Sequence, residues 1–354
     1  MKKYKFENLA EFASKILIKA GLAYEKAKTV GELLVTADAM GHKTHGLAFL
    51  PIYIRALKQG VMKQDGEPDI LKDKGPILAW HGKRLSGIWL VDEAVKVACK
   101  RAKAFGLCLM TIQEAHHTGC LATFLPQITA QGLVGYIAVS GPSGKTVVPF
   151  GGKTPVLTPN PFAMGIPTNG TPILIDVSSS ITTNSMAAQL QKQNKSFAGK
   201  WAQDANGIAT TDPSVLSKGK KGGLLPIGGE EYGHKGFALA IMVEALSQGL
   251  AGYGRADKPT ESQTNVFIQV IAPEAFAGIE SFKRQTSHLV NACLESDPID
   301  IKNPVRLPGA SAMKGLMEAK QNGLELSIEE LASLEKIAKE FDLLLPKNIE
   351  KSSS

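Results

Sequence analysis

The spacing of the apolar residues changes period twice along the 354-residue chain, and those two changes restrict the fold more than any single motif. Leu9, Phe12, Ile16, Leu17 and Ala20 recur at helical spacing, with Asn8 as the expected N-cap and Gly21 as the stop. A second helical pattern runs from Tyr24 to Met40 and a third from Leu50 to Leu57, so the first 60 residues read as a helical unit. After Pro68 the pattern breaks into short apolar runs separated by Gly and Pro, which read as strands. These are Ile77–Trp80, Ile88–Val91, Leu107–Ile112, 134–139, 173–177 and 265–271. Helices are expected from Asp92, as a cap, to Phe105, after Gly119, from Lys235 to Leu250, and near 274–294. The passage through Pro149, Gly151, Gly152, Pro155, Pro159, Pro161 and Pro167 reads as loop, as do the polar stretch 189–200 and the turn-rich run to Pro213.

Helical spacing returns at the C-terminal end, where Ser327 and Glu330 form a capping box ahead of Leu331, Leu334, Ile337, Ala338 and Phe341. Helical ends around a mixed middle predict an α+β fold. Residues 1–70 and 301–354 are expected to pack together as one discontinuous helical domain around an α/β domain at 71–300. The tail 351–354 is expected to lack fixed structure.

Composition narrows the function. The chain is 44% hydrophobic and 21% charged, the balance of a soluble globular protein, and it has neither an apolar signal core nor a run long enough to span a membrane. The net charge of +7 is spread along the chain; the one cluster, Lys218-Gly219-Lys220-Lys221, lies among glycines and reads as a solvated loop, so no nucleic-acid partner is expected. The four cysteines have no CxxC spacing, which argues against a zinc ribbon or disulfide scaffold and fits a reducing, cytoplasmic setting.

Local motifs are weak one at a time. No GxGxxG follows a strand. Gly141-Pro142-Ser143-Gly144-Lys145-Thr146 ends like a P-loop, but Val139 stands where its first glycine belongs. Thr44-His45-Gly46, at the end of the second helix, pairs a hydroxyl with an imidazole able to exchange protons near neutral pH, or simply closes a helix. His42, His45 and His116-His117 have spacing compatible with metal ligation, but no HExxH or carboxylate pair accompanies them, and no metal is expected. His234-Lys235, read as a helix start after a Gly-rich turn, can hold an anion or be a solvated helix end. Asp176 and the serines after it can hold a ribose or pyrophosphate, or form a turn.

Taken in order, however, the motifs resemble one family. Gly41-His42-Lys43-Thr44-His45-Gly46, His117-Thr118-Gly119, Val148-Pro149-Phe150-Gly151-Gly152, Asn160-Pro161-Phe162-Ala163, Ile175-Asp176-Val177-Ser178, Trp201-Ala202-Gln203-Asp204, Thr211-Asp212-Pro213 and Gly233-His234-Lys235-Gly236 are similar to the type 2 malate/L-lactate dehydrogenases. That family includes ureidoglycolate and sulfolactate dehydrogenases, diketogulonate reductase and cyclic-imine carboxylate reductases. The resemblance runs from about Asn8 to Phe341. It implies a homodimer, a non-Rossmann nicotinamide-binding domain with a mixed or antiparallel sheet, and NAD or NADP as cofactor. The substrate it implies is a small 2-keto or 2-hydroxy acid. His45 takes the acid/base role by this resemblance, and Thr44 replaces the Ser that hydrogen-bonds it. The segments His117, Thr118, Gly119, Cys120 and Leu121; Asp176, Val177, Ser178, Ser179 and Ser180; His234-Lys235; and Gly309 match cofactor-contacting segments.

Four departures bear on the substrate. Phe49 stands where the family has an Arg that clamps the substrate carboxylate, and Thr158-Pro159 replaces the usual Gly-Thr before Asn160. Asn184-Ser185-Met186 occupies a segment that commonly holds Gly-Lys or a relay acid, and Ala310 replaces an acid. Removing a buried bidentate Arg contact costs roughly 2–5 kcal/mol of binding. Lys43, Arg55 or Lys145 must substitute for it, or the substrate differs, or the chain binds cofactor without efficient catalysis.

Overall fold

A computed structural model describes residues 2–349; the tail 351–354 lies outside the described residues. A short strand β1 (Lys2–Tyr4) leads into helices α1 (Phe6–Lys19), α2 (Tyr24–Ala39) and α3 (Leu50–Lys58). Next come β2 (Asp69–Lys74), β3 (Ile77–His81), α4 (Gly87–Phe105) and β4 (Leu107–Ala115), then α5 (Leu125–Thr129), β5 (Val134–Ser140), β6 (Pro161–Ile166) and β7 (Ile173–Ser178). Helix α6 (Asn184–Lys192) precedes three two-residue strands, β8 (Ala202–Gln203), β9 (Ala209–Thr210) and β10 (Gly223–Leu224). The chain finishes with α7 (Gly229–Glu244), β11 (Thr264–Ile271), α8 (Ile279–Leu294), α9 (Ala310–Asn322), β12 (Leu324–Leu326), α10 (Ile328–Glu340) and β13 (Asn348–Ile349).

Seven strands form one mixed sheet in the order β2-β3-β4-β11-β5-β6-β7. Only β3 and β4 run parallel, and α4 makes the crossover that such a pair needs. The two chain ends meet, since β1 pairs with both β12 and β13. One apolar cluster continues from Tyr4 through the sheet to Ala338, so the terminal helices share their core with the sheet. A smaller cluster around Leu157, Ala202 and Leu224 supports the β8–β10 region.

The structure corrects several boundaries. Ile88–Val91 is the first turn of α4, not a strand. All four residues are buried because this end of the helix is enclosed, and enclosure erases the polar face that marks helical period. Asp92 therefore caps nothing; it receives Gln127 Nε2 at 2.9 Å and pairs with Lys96. Helix α1 starts at Phe6 with Lys5 as its N-cap, not at Asn8, because the turn out of β1 leaves Phe6 already buried. The proline-rich passage contains β6, and Pro161 is tolerated because it opens the strand. Strand β2 is exposed along its full length, a sheet edge in which Ile70 and Leu71 stand side by side among four charged residues with no alternation to mark a strand. Residues 184–192 form a helix with Thr183 as cap, and α8 begins at Ile279 rather than near 274. The capping box at Ser327 is present, with Ser327 N–H donating to Glu330 at 2.7 Å and Glu330 N–H donating to Ser327 at 3.1 Å.

Candidate active site

Two loops deliver the candidate catalytic residues to one place. The first follows α2. Gly41, at φ +87°, ends the helix, and a tight turn carries Lys43–His45 ahead of a second turn, Leu47–Phe49, that runs into α3. Buried Asp38 fastens this loop by accepting the Leu47 N–H at 2.9 Å, while its second carboxylate oxygen has no partner. Burial pushes the Asp38 carboxyl up to about 7 against the opposing pull of Lys43 and the Leu47 N–H. A Cβ on Gly46 would lie 1.9 Å from that free oxygen, so the loop closes only over glycine.

The second loop leaves β4 at His116-His117 and packs on the start of α4, where a Cβ on Gly87 would come within 2.1 Å of the His116 carbonyl. The rings of His45, Phe49 and His117 pack nearly parallel, with centroids 5.4 Å apart for His45–Phe49, 4.6 Å for Phe49–His117 and 5.9 Å for His45–His117. Thr44 Oγ1 lies 3.0 Å from His45 Nδ1, the pairing expected of these two residues. Tyr53 Oη lies 2.7 Å from His117 Nδ1, and the Gly119 N–H approaches the same nitrogen at 3.3 Å.

These contacts fix protonation. Burial raises the Tyr53 hydroxyl far above its ordinary range, so it stays a phenol and donates to His117 Nδ1. Burial, with help from His45 and His116, pushes His117 down to about 3. The ring is thus neutral at pH 7 and carries its proton on Nε2. Burial and His42 push His45 down to about 4, so it too is neutral at pH 7.

A cavity of about 450 Å³ joins these rings to Thr118–Leu121, the Ser140–Gly144 loop, Thr158-Pro159 and Asp176–Ser178. The Ser140–Gly144 loop is no P-loop. Arg255 Nη1 donates to the Gly144 carbonyl at 2.6 Å, while Arg255 Nε and Nη2 donate to Glu244 at 3.1 and 2.7 Å. Asn160, at φ +46°, ties Glu244 to Thr158 from below. A second cavity of about 680 Å³ runs from Met40 along Leu174–Val177 to Arg306 and Gly309, and His42 and Asp176 line both. Burial raises the Asp176 carboxyl, whose Oδ2 accepts the Ala122 N–H at 2.8 Å.

The expected site is therefore assembled in part. His45, Thr44, His117 through Leu121, and Asp176, Val177 and Ser178 share one cavity, and Gly309 lines its neighbour. Ser179 and Ser180 face away, their buried hydroxyls donating to the carbonyls of Pro159 and Thr182. His234 and Lys235 do not start a helix: α7 begins at Gly229, and both side chains are exposed against Tyr232, outside either cavity. No lysine or arginine among the described residues lines the 450 Å³ cavity. Lys43 pairs with Glu330 at 3.4 Å, Arg55 and Lys145 are exposed, and none of the three lines that cavity. Among the described residues the grouping with metal-ligating chemistry is His42, Cys120 and Asp176, not the histidine set. Tyr53 and Asp38 escaped the sequence reading. Their one signal is a polar group on the inward face of a helix, which has no meaning until the partner loop is known.

The fold has solved counterparts. The malate dehydrogenase of Entamoeba histolytica superposes with a TM-score of 0.91 over 98% of this chain and 99% of its own, at 22% identity. The sulfolactate dehydrogenase of Methanocaldococcus jannaschii does so at 0.85 over 99% and 100%, at 27% identity. Both counterparts are dehydrogenases by name, and the fold they share with this chain is that of their class. The sequence profile of the malate/L-lactate dehydrogenases matches residues 4–335, and the chain belongs to that family of oxidoreductases acting on CH–OH groups. A malate/(S)-sulfolactate dehydrogenase of Methanothermus fervidus is 29% identical over 94% of this chain and 96% of its own length.

Proposed function

We propose that the protein is an NAD- or NADP-dependent oxidoreductase that interconverts a 2-hydroxy acid, or a related alcohol or amine, with its 2-keto or imine counterpart. The observation that carries this reading is the pair of neutral rings, His45 and His117, on the wall of the 450 Å³ cavity. In the oxidative direction His45 is ready to take the hydroxyl proton, and Thr44 holds its ring. His117 offers Nε2–H to the substrate oxygen, and Tyr53 keeps it in that tautomer. In the reductive direction His45 returns the proton, which requires it to be charged first. Phe49 stacks flat on the His117 ring.

A nicotinamide dinucleotide, when bound, supplies or accepts the hydride. The residues present fit one. A Cβ on Gly309 would strike Leu174, so the chain turns tightly there, and the N–H groups of Ser311 and Ala312 in the first turn of α9, with Arg306 beside them, suit a diphosphate. Asp176, Val177, Ser178 and the Thr118–Leu121 turn are available to the adjoining half, where the two cavities meet. This arrangement does not use a Rossmann glycine fingerprint. We also assign a homodimer, in line with the exposed Tyr232, Ile241, Met242 and Leu250 around α7, to be checked by light scattering.

The test is His45→Ala on a panel of 2-keto acids, cyclic imines and their reduced forms with both cofactors. Turnover of any accepted substrate is expected to fall by a factor of about 100 or more; undiminished turnover overturns the assignment. A second reading, a cofactor-binding member with altered substrate or weakened catalysis, is favoured by Phe49 and by the lack of cations in the cavity. Cofactor binding without turnover across the panel would select it.

A further inference from the structure

Where the two cavities meet, three side chains from three separate segments converge: His42 from the loop after α2, Cys120 from the loop after β4, and Asp176 from β7. One ring nitrogen, the sulfur and one carboxylate oxygen all lie within 4.8 Å of one another. Cys120 Sγ is 3.5 Å from Asp176 Oδ2. We propose that His42, Cys120 and Asp176 form a binding site for a borderline-soft divalent cation of the Zn²⁺ type, in addition to the dehydrogenase site.

The donor set decides the class of ion. Nitrogen, sulfur and one carboxylate suit Zn²⁺ or Co²⁺, whereas Mg²⁺ and Ca²⁺ require oxygen ligands. Metal–ligand bonds of about 2.0–2.3 Å put tetrahedral ligands roughly 3.3–3.8 Å apart, so the three groups need to close by at most about 1.5 Å. The Ala122 N–H already holds Asp176 Oδ2 at 2.8 Å, which orients the carboxylate from behind as outer partners of metal ligands do. Three protein ligands leave a fourth position open, and here it would face the cavities. Cys120 is the one cysteine of the four with an imidazole and a carboxylate in reach. On binding, the thiol releases its proton to solvent and the ion takes up the sulfur lone pair.

An ion at this point would stand across the passage between the cavities, so binding is expected to exclude the nicotinamide cofactor. That consequence alone rests on the function proposed above. The site itself is tested without any turnover assay. Cobalt(II) chloride is titrated into the chelator-treated full chain, and the absorption is followed in the near-ultraviolet, where thiolate-to-cobalt charge transfer appears, and in the visible. A saturable one-to-one band pair is expected, displaced by zinc. Cys120→Ser is expected to abolish the charge-transfer band, and His42→Ala to weaken cobalt binding by at least about tenfold. Circular dichroism on both variants guards against misfolding, and His42, half-buried on a loop, is the replacement that disturbs the core least. Absence of the charge-transfer band in the folded wild-type protein, or its persistence in Cys120→Ser, overturns the site.

Discussion

Replacing Tyr53 by Phe removes one oxygen atom and tests how His117 is controlled. The ring is 1% exposed and its volume hardly changes, so packing is preserved and the hydroxyl is the only variable. The lost contact is the 2.7 Å bond to His117 Nδ1. A neutral hydrogen bond contributes about 0.5–1.5 kcal/mol, and stranding a buried partner costs roughly 1–3 kcal/mol. The Gly119 N–H still faces the nitrogen at 3.3 Å, so the loss falls toward the lower end, about 1–2 kcal/mol. Urea unfolding of Tyr53→Phe should show that drop with an unchanged slope. Nitrogen-15 spectra of histidine-labelled protein should show His117 protonated on Nε2 in the wild type and a mixture of tautomers in the variant. If the misaligned ring raises the reaction barrier by a similar amount, turnover falls about tenfold. A variant as stable as the wild type, with the same His117 tautomer, would refute the reasoning that Tyr53 sets the state of that ring.

Two further predictions concern the loop that carries His45. Asp38 titrates near 7 when folded against 3.8 when exposed, so its contribution is fully present below pH 3.8 and is lost as pH rises through 7. At about 1.36 kcal/mol per pH unit this caps the effect at about 4 kcal/mol. Asp38→Asn, which cannot ionise, should therefore gain stability relative to the wild type between pH 5 and pH 8 in urea unfolding, and a pH-independent difference would contradict the assignment. The buried His45 and His117 act oppositely, weakening the fold as pH falls from 6.5 toward 4 and 3, but they cancel in this comparison. Gly46→Ala should cost about 3 kcal/mol or more, because the new methyl collides with the Asp38 carboxylate. Thermal unfolding of Gly46→Ala/Asp38→Ala should show less than the summed loss of the single changes; strict additivity would rule out the collision.

Legibility followed the reach of each interaction. Helices α1, α2 and α10 and strands β4, β5, β7 and β11 were readable because their burial pattern follows their own period and nearby Gly or Ser residues punctuate them. The start of α4 was not, because neighbours enclose it on all sides, and β6 was hidden because proline at a strand's first residue resembles a loop. At the site, Thr44-His45 was visible as a local pair, while Tyr53 and Asp38 act across 64 and 9 residues of chain. His234-Lys235 looked equally functional, yet the real helix start at Gly229 moves them outside both cavities.

The order of the motifs along the chain was enough to determine the family and the identity of the histidine next to Thr44, since both depend on residue types at fixed positions. Only the tertiary structure decided what those residues can do. It buries His45 and His117 until both are neutral, it lines the cavity with no lysine or arginine among the described residues, and it brings His42, Cys120 and Asp176 together. Desolvation and convergence are properties of the packed chain: the same residues in an extended peptide would be solvated, ordinarily charged and far apart.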